Sequence, residues 1–283
     1  MKYDFKKATI LALKYSVSLR KLPYFFLFQI FAMILIFFPL LNLIDTCYSN
    51  GLFENPIPDP HMIDFIVESF GYFFLSIVLV LILSSILTPT FIFNYMQYRN
   101  KKDDSLRHSL NHAKPYFLTV FGAFITMAFL VNIVGGIISM IVQVLGTIIS
   151  FLMTLVFIFV IQDIIIRKSS ISNGLSSSYE CTTKNFPAIV TMYVITTLFS
   201  LIITLLFGIP LIAVLSHSIA PLFGMLGAEM SHSALLATFA STIQSDIELY
   251  LVSLTTLLLG SSISKLFSMA FITEIYIQLR AKK

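Results

Sequence analysis

Six long apolar stretches alternate with polar connectors, and all 18 Lys and Arg residues can be placed on one side of them. The connectors after the first, third and fifth stretches hold no Lys or Arg. The cations gather before the first stretch (Lys2, Lys6, Lys7, Lys14, Arg20, Lys21) and between the second and third (Arg99, Lys101, Lys102, Arg107, Lys114). Others lie between the fourth and fifth (Arg167, Lys168, Lys184) and in the last stretch and tail (Lys265, Arg280, Lys282, Lys283). Membrane proteins retain Lys and Arg in cytoplasmic loops. The expectation is a multi-pass protein of the cytoplasmic (inner) membrane with both termini cytoplasmic.

At 57% hydrophobic and 11% charged residues, the chain departs from soluble domains, in which about a quarter of residues are charged. The net charge of +4 conceals a separation: 18 cations with six acids inside, and eight acids with no cation outside. Anionic lipid headgroups favour such a basic inner face by about 1 kcal/mol per Lys or Arg. Anionic membrane lipids are therefore the expected partners, and no nucleic acid is needed to explain the charge. The two cysteines, Cys47 and Cys181, fall on opposite sides and cannot bridge within one chain. A disulfide framework and a four-cysteine zinc site are both excluded. The polar-basic residues ahead of the first apolar run read as part of a retained anchor, not a cleavable leader.

A bilayer-crossing helix needs roughly 20 apolar residues. Residues 23–44, 65–98, 186–215 and 248–279 each supply one span, and the unbroken run 116–166 must supply two. Gly135-Gly136 or Gly146 is the expected place for its reversal, since glycine accepts the backbone angles of a tight turn. Pro89 is read as an interruption of the second span and Gly260 as a kink in the sixth. The fold class is thus all-α, with six transmembrane helices in a single integral membrane domain over 1–283. Leu235, Phe239 and Ile243 recur at helical spacing in the last outer connector, predicting an interfacial helix. The first outer connector, Asn55-Pro56-Ile57-Pro58-Asp59-Pro60, reads as an exposed loop.

Each cytoplasmic stretch leads into a span in a similar way: Lys21-Leu22-Pro23-Tyr24-Phe25, Lys114-Pro115-Tyr116-Phe117 and Lys184-Asn185-Phe186-Pro187. A short amphipathic helix is expected upstream of each. Its apolar positions are Phe5, Ala8, Ala12, Tyr15 and Leu19 in the first, with a second stripe of Ile10, Leu13 and Val17. They are Leu106 and Leu110 after an Asp103-Asp104-Ser105 cap in the second, and Ile171, Leu175 and Tyr179 in the third. The even-numbered spans end with a polar residue one to two turns before an Arg: Asn94, Asp163 and Glu274 before Arg99, Arg167 and Arg280. Nine residues earlier lie Ser85, Thr154 and Lys265. Three parallel units of elbow plus hairpin are therefore expected, at about 1–98, 99–168 and 169–283, an arrangement known among transporters.

Ionisable groups inside a bilayer are costly and mark candidate sites. Lys265 falls near the middle of its span, with Asp163 as a possible partner or with its ammonium snorkelling inward. Asp163, Glu274 and Asn94 either ring a cytoplasm-facing cavity or pair with Arg167, Arg280 and neighbouring elbows. Ser85, Thr154, Lys265, Asn94, Asp163 and Glu274 together form the candidate substrate or cavity set. Arg20, Lys21, Arg99, Lys114, Arg167, Lys184 and Arg280 are the candidate headgroup ligands. His108 and His112 lack the glutamate of a zinc-protease helix and sit among cations. His217 and His232, each in a Ser-His-Ser triplet, lack the frame of a Ser-His catalytic pair. No catalytic residue, metal site or cofactor is assigned.

The Arg20-Lys21-Leu22-Pro23 corner, Asp163 at the end of the fourth span, and the stretch Ser172-Asn173-Gly174-Leu175-Ser176-Ser177-Ser178 occur together. The combination resembles uncharacterised six-span prokaryotic membrane proteins of the YciC type and the membrane domain attached to some glycerophosphodiester phosphodiesterases. The soluble phosphodiesterase barrel is lacking, so no catalytic residue carries over; the resemblance implies an envelope or lipid-associated role. The functional expectation is a transporter or lipid-handling component. The alternative is a structural or assembly factor without transport, and a membrane-embedded hydrolase using the outer histidines ranks last.

Overall fold

The computed structural model describes residues 4–49, 60–102, 105–225 and 246–281. Among them every regular element is a helix, and six are long and apolar enough to cross a membrane. The protein is an all-α, multi-pass integral membrane protein. The helix expected around Leu235, Phe239 and Ile243, the loop 55–59, the Asp103-Asp104 pair and His232 lie outside the described residues.

A short helix α1 (Phe5–Ser16) precedes α2 (Leu22–Ser49), which pairs with α3 (Pro60–Arg99). Helix α4 (Leu106–Ala113) passes through a 3-10 turn (Lys114–Tyr116) into α5 (Phe117–Ile141). The fourth span is split into α6 (Gln143–Phe157) and α7 (Val160–Arg167). After α8 (Ile171–Lys184) come α9 (Phe186–Met225) and α10 (Ile247–Arg280). Pro89 lies within α3 without ending it.

Each short helix begins on a side-chain cap that accepts an N–H left free by the first turn. Asp4 accepts from Lys7, Ser105 from His108 and Ser170 from Asn173. Their inward faces match the expected stripes in part: Ala8, Ala12 and Tyr15 are buried, and Phe5, Leu106, Ile171 and Leu175 pack against the core, while small residues supply the rest. Helix α1 buries Ala8, Ala12 and Ser16 beside Tyr15, α4 buries Ser109 and Ala113, and α8 buries Gly174, Ser178 and Thr182 beside Cys181. Ile10 and Leu13 of α1, Val17 and Leu19 just beyond it, and Tyr179 of α8 point outward. Small residues four apart let helix backbones approach closely, which is how helices associate where lipid removes the hydrophobic drive between them.

The reversal of the 116–166 run also departs from expectation. It falls at Val142, an extended residue (φ −141°, ψ 102°) between two helices, and at neither glycine site. The glycines serve packing: a Cβ on Gly135 would strike the Ser150 side chain, and one on Gly146 would strike Ser139. Both pairs centre on the same point of the chain, so α5 and α6 run antiparallel in close contact. Gly260 lies within the continuous helix α10 and also serves packing; a Cβ there would come within 2.5 Å of Phe207 Cβ on α9.

Helix α10 is the hub, touching α9, α1, α2 and α3. Phe267 stacks on Phe199 of α9 with ring centres 3.8 Å apart and on Phe271 at 5.5 Å. Phe25 meets Phe91 edge-on at 5.0 Å, and Tyr15 meets Tyr95 at 5.2 Å. Aromatic rings therefore fill much of the space among α1, α2, α3, α9 and α10.

Candidate functional site

The groups singled out near the ends of the even-numbered spans meet in a polar layer at the basic end of the bundle. Asp163 of α7 is 1% exposed. Its Oδ1 accepts from the Tyr276 hydroxyl, from Ser177 Oγ at 2.8 Å and from Arg280 Nη2 at 3.3 Å, with Arg167 Nη1 at 3.5 Å. Its Oδ2 accepts from Ser169 Oγ at 2.9 Å. Arg280 also donates to the Ser177 hydroxyl and carbonyl, so α7, α8 and α10 are tied at one carboxylate.

Glu274 of α10, also 1% exposed, ties α10 to α3. Arg99 Nε donates to Oε2 at 2.6 Å and Arg99 Nη2 to Oε1 at 3.3 Å, a two-pronged ion pair. The Tyr95 hydroxyl donates to Oε2 at 3.1 Å. Such bidentate charge-assisted bonds are stronger and more directional than neutral ones. Asn94 closes the third corner: the Tyr15 hydroxyl lies 3.0 Å from its Oδ1, and its Nδ2 donates to Ser109 Oγ at 3.3 Å. Asn94, Asp163 and Glu274 thus bond to short helices and neighbouring spans; they do not ring an open cavity.

The tier nine residues earlier does not converge. Ser85 is buried and donates to the Leu81 carbonyl of its own helix. Thr154 faces outward and donates to the Ser150 carbonyl. Lys265 lies on the outward side of α10, where its ammonium donates to Gln29 Oε1 of α2 at 3.1 Å. A common site built from Ser85, Thr154 and Lys265 is therefore not formed, because two of the three point away from the interior. Gln29, which sequence reasoning missed, is the bonded partner in place of Asp163. The pair predicts an asymmetry. Gln29→Leu strips the ammonium of its acceptor and is expected to cost about 1–2 kcal/mol, whereas Lys265→Leu removes the charge itself and costs less. Thermal midpoints in one detergent check the order, and equal losses would refute it.

The headgroup candidates divide. Lys21 is 2% exposed, its ammonium over the rings of Tyr15 (4.8 Å) and Tyr98 (4.3 Å), so it is not open to a headgroup. Arg99 and Arg280 are engaged by Glu274 and Asp163, with Arg280 largely covered. Arg20 and Lys114 are exposed, Arg167 is half-exposed, and exposed Lys184 pairs with Glu180 at 2.7 Å. A polar recess of about 490 Å³ beside Asp163 is lined by Arg167, Asn173, Ser176, Ser177, Glu180 and Arg280. A hydroxyl-lined groove of about 430 Å³ holds Thr196, Thr197, Ser200 and Thr204 of α9 against Ser268 of α10. The rings of His108 and His112 lie 4.3 Å apart, and His112 Nδ1 is 3.1 Å from the His108 carbonyl.

A second polar feature escaped the sequence reading. The fourth span breaks at Ile158 and Phe159, and α8 mends the break. Ser178 Oγ accepts from the Phe159 N–H at 3.2 Å and donates to the Val156 carbonyl at 2.5 Å, while Thr182 Oγ1 reaches the Leu155 carbonyl at 3.3 Å. Backbone groups in a membrane must be satisfied within the protein. Gly174 lets α8 approach for this, since a Cβ there would sit 3.2 Å from Ile164 and 3.4 Å from the Val160 carbonyl. The Gly-x-x-x-Ser-x-x-x-Thr row was the available signal.

Compared with known protein families, curated proteins and solved structures, the chain matches none. What the fold defines is a class: a six-span integral membrane protein with an internally paired polar layer at its basic end.

Proposed function

We propose that the protein is a non-transporting structural or assembly factor of the cytoplasmic membrane whose basic elbows organise anionic lipid. One observation carries the reading: Asp163 and Glu274, the carboxylates available to a substrate or ion path, are buried and fully engaged in holding α3, α7, α8 and α10 together. Bonds from charged partners of this kind fix the helices they join in place. Of the headgroup candidates, Arg20, Lys114, Arg167 and Lys184 face outward at or next to the short helices, which supports their meeting a headgroup layer. The three elbow-plus-hairpin units belong to this proposal, as do the cytoplasmic termini.

A transporter remains the second reading, supported by the hydroxyl-lined groove between α9 and α10. Native mass spectrometry of the purified chain, equilibrated with equimolar phosphatidylglycerol and phosphatidylcholine, tests the first. Phosphatidylglycerol is expected to be enriched among retained lipids by about fivefold per exposed cation engaged. The variant R20Q/K114Q/R167Q/K184Q should lower the enrichment by the corresponding factor for each cation removed. Equal retention by the unaltered protein would overturn the reading.

A further inference from the structure

Between α2, α3 and α4 lies a groove of about 970 Å³, at the upper end of the roughly 300–1,000 Å³ of small-molecule pockets. Its basic-end lip carries Arg20, from the corner between α1 and α2, and Arg107, from the first turn of α4, both exposed. Its wall is apolar and aromatic: Tyr24 and Leu27 from α2, Leu87 from α3 and Leu110 from α4. Among the described residues lining it there is no carboxylate. Lys21 also lines it, with its ammonium turned onto Tyr15 and Tyr98.

The dimensions suit an amphiphile. Leu27 is six residues beyond Lys21, about 9 Å along α2, and Leu87 is twelve residues before Arg99, about 18 Å along α3. Those depths lie inside the hydrocarbon layer of a bilayer about 30 Å thick, while the two arginines stand at its edge. Acyl chain is the medium available at that depth, and a lip carrying two arginines selects a headgroup that accepts hydrogen bonds and carries negative charge.

We propose that this groove is a binding site for one anionic phospholipid of the cytoplasmic leaflet, its phosphate on Arg20 and Arg107 and one acyl chain along Tyr24, Leu27 and Leu87. The site rests on the reading of basic elbows that engage anionic lipid, and gives it a defined seat in place of a general attraction. A lipid held there wedges α4 against α2 and α3, fastening the second short helix to the first hairpin.

The chain contains no Trp, so one introduced Trp reports from a single place. Leu27→Trp puts the probe in the groove, at a side chain already 61% exposed, and Phe129→Trp puts a control on the outward side of α5. Full-length protein is reconstituted in phosphatidylcholine containing graded amounts of phosphatidylglycerol with brominated acyl chains. The same series with brominated phosphatidylcholine is the reference. The groove indole is expected to be quenched by phosphatidylglycerol with about a thirtyfold preference, removed by R20Q/R107Q, while the control indole on α5 shows a much smaller preference. A similar preference at both probes overturns the groove and leaves the basic collar standing. Preference at neither overturns both. Preference at the groove probe that survives R20Q/R107Q overturns the assignment of the headgroup to those arginines.

Discussion

Asp163→Ala is expected to destabilise the protein by about 3–5 kcal/mol, the cost of leaving a buried cation without its counter-ion. The carboxylate receives Tyr276, Ser177, Ser169 and Arg280, and it is 1% exposed. Removing it leaves the Arg280 guanidinium facing Ser177, with α7, α8 and α10 no longer sharing an acceptor. Denaturant or thermal unfolding in detergent reads the loss directly. Arg280→Met in the Asp163→Ala background is expected to recover much of it, because no uncompensated charge then remains. Additive losses in the double variant would show that the two residues do not act as a pair. Glu274→Ala is expected to cost less, since its partner Arg99 is about a third exposed and can turn to water.

Gly260→Leu is expected to be the next most damaging change, at more than the 1–3 kcal/mol typical of overpacking. The first added carbon already falls 2.5 Å from Phe207 Cβ and 2.7 Å from its Cγ. Phe207 cannot swing away at Cβ without moving the backbone of α9, the helix that α10 contacts most extensively. Gly260→Ala should fall within the overpacking range. Adding Phe207→Ala to Gly260→Ala should cost less than the sum of the two single changes, because the second makes room for the first. Unfolding midpoints for the four proteins of this cycle give the coupling, and strict additivity would argue against the contact.

The six spans were legible because hydropathy over 20 or more residues is a strong signal that a bilayer enforces. The single reversal at Val142 was not. Glycine is also the residue that lets helices touch, and Gly135 and Gly146 are used that way opposite Ser150 and Ser139. The short helices were legible from their four-residue spacing, and Ala8, Ala12 and Tyr15 form one buried face, but spacing alone did not say which medium the second stripe of α1 meets. Here the outward medium can be hydrocarbon, so Ile10, Leu13 and Val17 face out while Ala8, Ala12 and Ser16 face in. The polar layer was half legible. Asn94, Asp163 and Glu274 stood out as polar residues near span ends, whereas Tyr15, Tyr95 and Tyr276 look like any aromatic in an apolar run. Their pairing spans 79 to 179 residues of sequence, and Lys265 finds Gln29 across 236, separations that no local pattern encodes.

The mended break in the fourth span has a consequence for how the chain is made. The Val156 carbonyl and the Phe159 N–H take their bonds from Ser178, which leaves the ribosome about twenty residues later. While only the first four spans have been synthesised, the fourth enters the bilayer with its backbone bonding incomplete. A helix whose backbone bonding awaits a later segment gains little by settling early. The fourth span is therefore complete only once the chain has been made past Ser178, which makes α8 part of that span's structure although it lies outside it in sequence.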